Sequence, residues 1–145
     1  MKHFAILLCC LLSGFFTANA QSLPPQPPAN DVARAATDKL VAKYTLTADQ
    51  AKQMYTIQAR KQRNLAQFES LKSNTPAQYT AKMQSLQKGT LNSIRRILRT
   101  KEQVALYDKT QREVRNNRAE KRKELSVLNA SKESVEAAML DLYAE

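Results

Sequence analysis

Apolar side chains recur every three or four residues along most of this chain, the spacing that gathers them on one face of an α-helix. The clearest run is Tyr79, Met83, Leu86, Thr90, Ile94, Ile97. It is nearly unbroken and reads as a core-facing stripe. The runs on either side keep the spacing but change chemistry part-way. One passes through Met54, Ile57, Lys61, Asn64, Phe68 and Leu71; the other through Val104, Tyr107, Gln111, Val114, Arg118, Lys121, Leu125 and Leu128. An unpaired charge is very costly to bury. Lys61, Arg118 and Lys121 are therefore expected to stay in touch with water or with a partner. A last, weaker run places Val135, Met139 and Leu142 at helical spacing. Its acidic face either folds back on the body or frays.

Three helix starts share one device. Thr47–Gln50, Thr75–Gln78 and Thr100–Gln103 each set a threonine three residues before a glutamine. In such a capping box the hydroxyl accepts from a first-turn N–H, and the glutamine amide returns to the threonine N–H. Pro76 falls at a first helical position, where its missing N–H costs nothing. These signals predict helices over residues 48–73, 76–98 and 101–128. A shorter one is expected over 31–44, capped by Asn30, and a fifth segment over 131–143. Glycine is nearly absent, and proline is concentrated in the QSLPPQPPAN stretch at 21–30, which reads as an extended linker. The class is all-α, four helices with a possible fifth, and the short connections set neighbours antiparallel. Residues 31–128 form the domain, followed by an acidic helix or tail at 129–145.

The first residues carry different information. Lys2 precedes an apolar run at 4–16, and Ala18 and Ala20 follow in an A-x-A pattern. That is the order of a cleavable secretory leader spanning 1–20. The run is shorter than the roughly 20 residues that cross a bilayer, so no membrane span is expected. Both cysteines and the single histidine lie within the leader. The exported chain would then have no disulfide framework and must rely on packing.

Charge narrows the partners. The chain carries a formal net charge of +10, with the excess concentrated in 76–128, whereas 129–145 is net acidic. Such a field draws in acidic partners; outside the cytoplasm these are protein segments, anionic lipid or wall polymers rather than nucleic acid. Catalysis is not expected. Without Cys or His no activated nucleophile pair can be assembled, and the carboxylates lie among lysines and arginines as solvated pairs do. No cofactor or metal site is expected, since Met54, Met83 and Met139 sit on apolar stripes as core fillers. The basic seam positions admit two readings. In one, the long helices overhang the core and their side chains snorkel into solvent. In the other, the helices form a shallow concave layer whose client-binding face holds Arg60, Lys61, Arg112, Arg115, Arg118, Lys121 and Arg122.

Leu46-Thr47-Ala48-Asp49-Gln50 is an LTxxQ motif. With the leader, the basic charge and the helical pattern, the chain resembles the Spy/CpxP family of periplasmic proteins. The second motif of that family would fall at Arg99-Thr100-Lys101-Glu102-Gln103. Here Arg99 stands where leucine is usual, and Leu98 lies one place early. The motif itself reads as structure: Leu46 takes the staple position before the cap, and Thr47 and Gln50 form the box. The resemblance implies a thin, cradle-shaped homodimer of long helices acting as an ATP-independent holdase chaperone on unfolded or partly folded proteins. It also implies a second role, restraint of a sensor kinase through its periplasmic domain. An envelope surface-binding structural protein is a further alternative.

Overall fold

A computed structural model describes residues 29–142. The leader, residues 21–28 of the proline-rich stretch, and residues 143–145 lie outside the described residues. The described chain is all-helical: α1 (Ala29–Tyr44), α2 (Ala48–Asn74), α3 (Pro76–Ile97), α4 (Lys101–Val127) and α5 (Lys132–Asp141). Connections of one to four residues leave no room for strands.

Asn30 does not cap α1. The helix already begins at Ala29, because alanine continues a helix readily and first-turn N–H groups need no intrahelical partner. At its other end α1 stops in a Schellman turn. Thr45 takes a left-handed φ of 49°, and the Leu46 N–H reaches back to the Val41 carbonyl at 3.1 Å. The same device ends α4, where Asn129 has φ 51° and the Ala130 N–H bonds the Leu125 carbonyl at 3.0 Å. Asparagine tolerates that conformation; a β-branched threonine does so only under strain.

Two of the three expected capping boxes form, at Thr47–Gln50 and Thr100–Gln103. The third, Thr75–Gln78, does not. Thr75 alone separates α2 from α3 and must end one helix while starting the other. Its N–H still bonds the Leu71 carbonyl at 2.9 Å, which holds ψ at 72°, against 166° at Thr47 and 155° at Thr100. That rotation carries the hydroxyl away from the first turn of α3. Thr75 Oγ1 is buried with no hydrogen-bond partner.

The core sits at one end of the molecule. Leu40 and Tyr44 of α1, Met54 and Ile57 of α2, Ile94 and Ile97 of α3, Leu98, and Tyr107 of α4 are packed into one cluster. Each such side chain contributes about 1.5–3 kcal/mol when fully buried. The Tyr44 and Tyr107 rings meet at 6.4 Å between centroids, tilted by 48°, and the Tyr107 hydroxyl donates to the Leu91 carbonyl at 3.1 Å. Away from this end the stripes loosen where their chemistry turned polar. Lys61, Asn64 and Phe68 on α2, and Val114, Arg118, Lys121 and Leu125 on α4, are half-buried. Leu128, the last member of its stripe, is 67% exposed.

α2 packs closely along both α1 and α3, whereas α3 and α4 make few close backbone approaches. The final segment folds back: α5 lies against α3 and α4. Met139 is buried, and Gln87 Nε2 donates to the Leu140 carbonyl at 3.0 Å. Within α5, Glu136 pairs with Lys132 of its own helix at 4.0 Å.

Candidate binding surface

The two formed capping boxes meet in space. Gln50 Oε1 accepts from its own cap, the Thr47 N–H, at 2.9 Å; Gln103 Oε1 accepts from the N–H groups of Arg99 and Thr100 at 3.0 and 3.3 Å. The two amides then bond each other reciprocally, at 3.0 and 3.1 Å. Each also donates to the opposite junction: Gln50 Nε2 to the Ile97 carbonyl at 2.7 Å, and Gln103 Nε2 to the Thr45 carbonyl at 3.3 Å. Both glutamines are buried. The motif thus clasps the α1–α2 junction to the α3–α4 junction, and its residues leave little free hydrogen-bonding capacity for a ligand. The shifted second motif fits this geometry. Leu98 is buried in extended backbone while Arg99 is exposed, the extra residue being absorbed between the leucine and the cap.

The clasp sets where the long helices start, and so which surfaces they leave open. Two grooves flank α3. The α3–α4 groove, about 640 Å³, is lined by Lys88, Arg112, Arg115 and Arg118 together with Leu91, Tyr107 and one carboxylate, Asp108. The α2–α3 groove, about 410 Å³, is lined by Arg60, Lys82 and Arg96 with Asn64 and Phe68, and no carboxylate lines it. Between them runs a ridge of exposed α3 positions, Lys82, Ser85, Gly89, Asn92 and Arg96, spaced three and four apart so that they share one helix face. The ridge is polar, with a cation at either end, so the grooves belong to one continuous basic surface.

The residues expected at a binding face divide accordingly. Arg112, Arg115 and Arg118 come together in the α3–α4 groove, and Arg60 joins the same surface from the far side of α3. Lys61, Lys121 and Arg122 line neither groove. Lys61 and Lys121 are half-buried. Lys121 instead holds Glu124 at 2.8 Å on its own helix, an exposed pair that contributes little. Partial burial, and then the neighbouring Arg122 guanidinium, hold the Arg118 pKa below its ordinary value; a guanidinium stays charged regardless. Lys82, Lys88 and Arg96 were not expected at the site. They lie on the solvent side of α3, whose apolar stripe alone marked it as core; the 3–4 spacing of the polar positions was the available signal.

Among the described residues no group of three or more His, Cys, Asp or Glu could hold a metal ion, and no helix is long and apolar enough to cross a membrane. No family model, curated protein or solved structure matches the chain. The functional reading therefore rests on the residues and their geometry.

Proposed function

We propose that this chain is an exported, ATP-independent holdase that captures unfolded or partly folded proteins on the basic surface around α3. The observation that carries this reading is the convergence of cations from three helices on one open face, opposed by a single lining carboxylate, Asp108. Such a field raises the encounter rate with acidic segments. Half-buried apolar side chains beside the cations, Leu91, Leu86 and Phe68, offer weak, non-directional holding. Val127 and Leu128, 74% and 67% exposed at the tip of α4, add apolar surface for a client or for a second copy of the chain.

The test is suppression of light scattering by a chemically denatured client, without nucleotide, at several-fold excess of the purified chain. The expected result is suppression that weakens as salt screens the surface charge. Reversal of Lys88, Arg112 and Arg115 to Glu abolishes it while leaving the helical spectrum intact, since all three are exposed. Unchanged aggregation with the native chain removes the proposal. Saturable binding to one folded partner, with no effect on unfolded clients, replaces it with a regulatory binder.

A further inference from the structure

The α2–α3 groove holds an arrangement that client capture does not require. Arg60 Nη2 donates to Ser93 Oγ at 2.9 Å, and Arg96 Nη2 donates to the same oxygen at 3.3 Å. Ser93 in turn gives its own proton to the Gly89 carbonyl at 2.8 Å. One buried hydroxyl thus gathers two guanidiniums that would otherwise repel, with its single hydrogen already committed. Each guanidinium offers five donors in a planar fork, so most remain available to the groove. Lys82 belongs to a separate stretch of the same groove: its Nζ lies 5.4 Å from the Phe68 ring centroid, and at roughly 1.5 Å per residue it sits about 16 Å along α3 from Ser93. The groove's other polar lining groups, Asn64, Ser85 and Thr90, are neutral.

Gly89 leaves the wall of this groove without a side chain. It lies mid-helix without positive φ, and a Cβ there would meet nothing within 4 Å. Neither backbone conformation nor helix packing calls for glycine, which is a poorer helix former than alanine. It does keep clear the stretch of groove wall beside Ser93 and between the cations.

We propose that the α2–α3 groove is an oxyanion site, which takes a phosphate-type group between Arg60 and Arg96. A planar carboxylate is satisfied by one guanidinium fork, whereas a tetrahedral phosphate-type group presents oxygens in several directions and can accept from two guanidiniums at once. Occupancy neutralises the Arg60 side of the basic surface. The site needs no unfolded client, so it stands or falls apart from holdase activity.

The experiment is an NMR titration of the full chain with inorganic phosphate at low salt, alongside co-sedimentation with phosphatidylglycerol and phosphatidylcholine vesicles. Saturable shifts centred on Gly89, Ser93 and the Arg60 and Arg96 side chains are expected. Arg60→Gln combined with Arg96→Gln weakens binding about tenfold or more, the scale of charge-assisted hydrogen bonds. Arg112→Gln with Arg115→Gln, in the other groove, changes it less than about twofold. Phosphate binding alone identifies a free anion as the source. Added co-sedimentation with phosphatidylglycerol only, lost in the Arg60/Arg96 variant, identifies a lipid headgroup. Shifts spread evenly over the basic surface, equal effects of the two double variants, or no saturable binding of either probe overturns the proposal.

Discussion

Gln103→Ala removes one half of the clasp between the two helix junctions, and its cost can be worked from the bonds it breaks. The side chain is 7% exposed. Its loss ends the reciprocal pair with Gln50 and the bond to the Thr45 carbonyl; buried neutral bonds of this kind contribute about 1 kcal/mol each. The Arg99 and Thr100 N–H groups also lose their acceptor, but those residues are exposed and water replaces it cheaply. Gln50 keeps the Ile97 carbonyl and the Thr47 N–H, so it is not orphaned. The expected loss is about 2–3 kcal/mol, a large share of the roughly 5–15 kcal/mol of a typical domain. Urea unfolding followed by far-UV circular dichroism reads it as a midpoint lowered by about 1 M or more at unchanged slope. Gln78→Ala is the control: Gln78 is exposed and its box is not formed, so its cost stays below about 0.5 kcal/mol. Gln50→Ala with Gln103→Ala costs less than the sum of the single changes by about 1–2 kcal/mol, because both remove the same amide pair. Equal effects of Gln103→Ala and Gln78→Ala, or strict additivity of the pair, would refute a clasp and leave two local caps.

Thr75→Val replaces a buried, unpartnered hydroxyl with a methyl of the same shape; stability should hold or rise by up to about 1 kcal/mol, whereas Thr47→Val, which breaks a formed cap, should lose about 1 kcal/mol. Calorimetric midpoints moving the same way for both would contradict the difference in cap geometry. Thr45→Asn should stabilise by about 0.5–1 kcal/mol, because asparagine accepts the left-handed φ of 49° that strains a β-branched residue; a loss of similar size would show the strain to be absent. Glu102 is held below the ordinary carboxylate value of 4.5 by its own backbone N–H and then by the Thr100 hydroxyl. A depressed folded-state pKa stabilises above the unfolded value and is lost as pH falls through the folded one. The gap in urea midpoint between the native chain and Glu102→Gln should therefore narrow as pH drops below 4.5, and a gap constant across that range would exclude the linkage.

What the sequence determined by itself is local. Helical periodicity and threonine–glutamine spacing placed the four main helices to within a residue or two, because a cap and an apolar face are properties of neighbours a few positions apart. The polar breaks at Lys61 and Arg118 likewise announced where the core would loosen, since burying such groups unpaired is prohibitive whatever the fold. What only the tertiary structure decided involves residues far apart in the chain. Thr75 has the spacing of a cap, yet a one-residue junction fixes its backbone from both sides and the cap is lost. Gln50 and Gln103 look like two local devices, and only the approach of the junctions makes them one. Arg60, Ser93 and Arg96 carry no shared sequence signal; the packing of α2 along α3 brings two guanidiniums to one hydroxyl. Short-range rules act through bonded neighbours and survive in the one-dimensional record, whereas these couplings exist only once the helices have chosen whom to pack against.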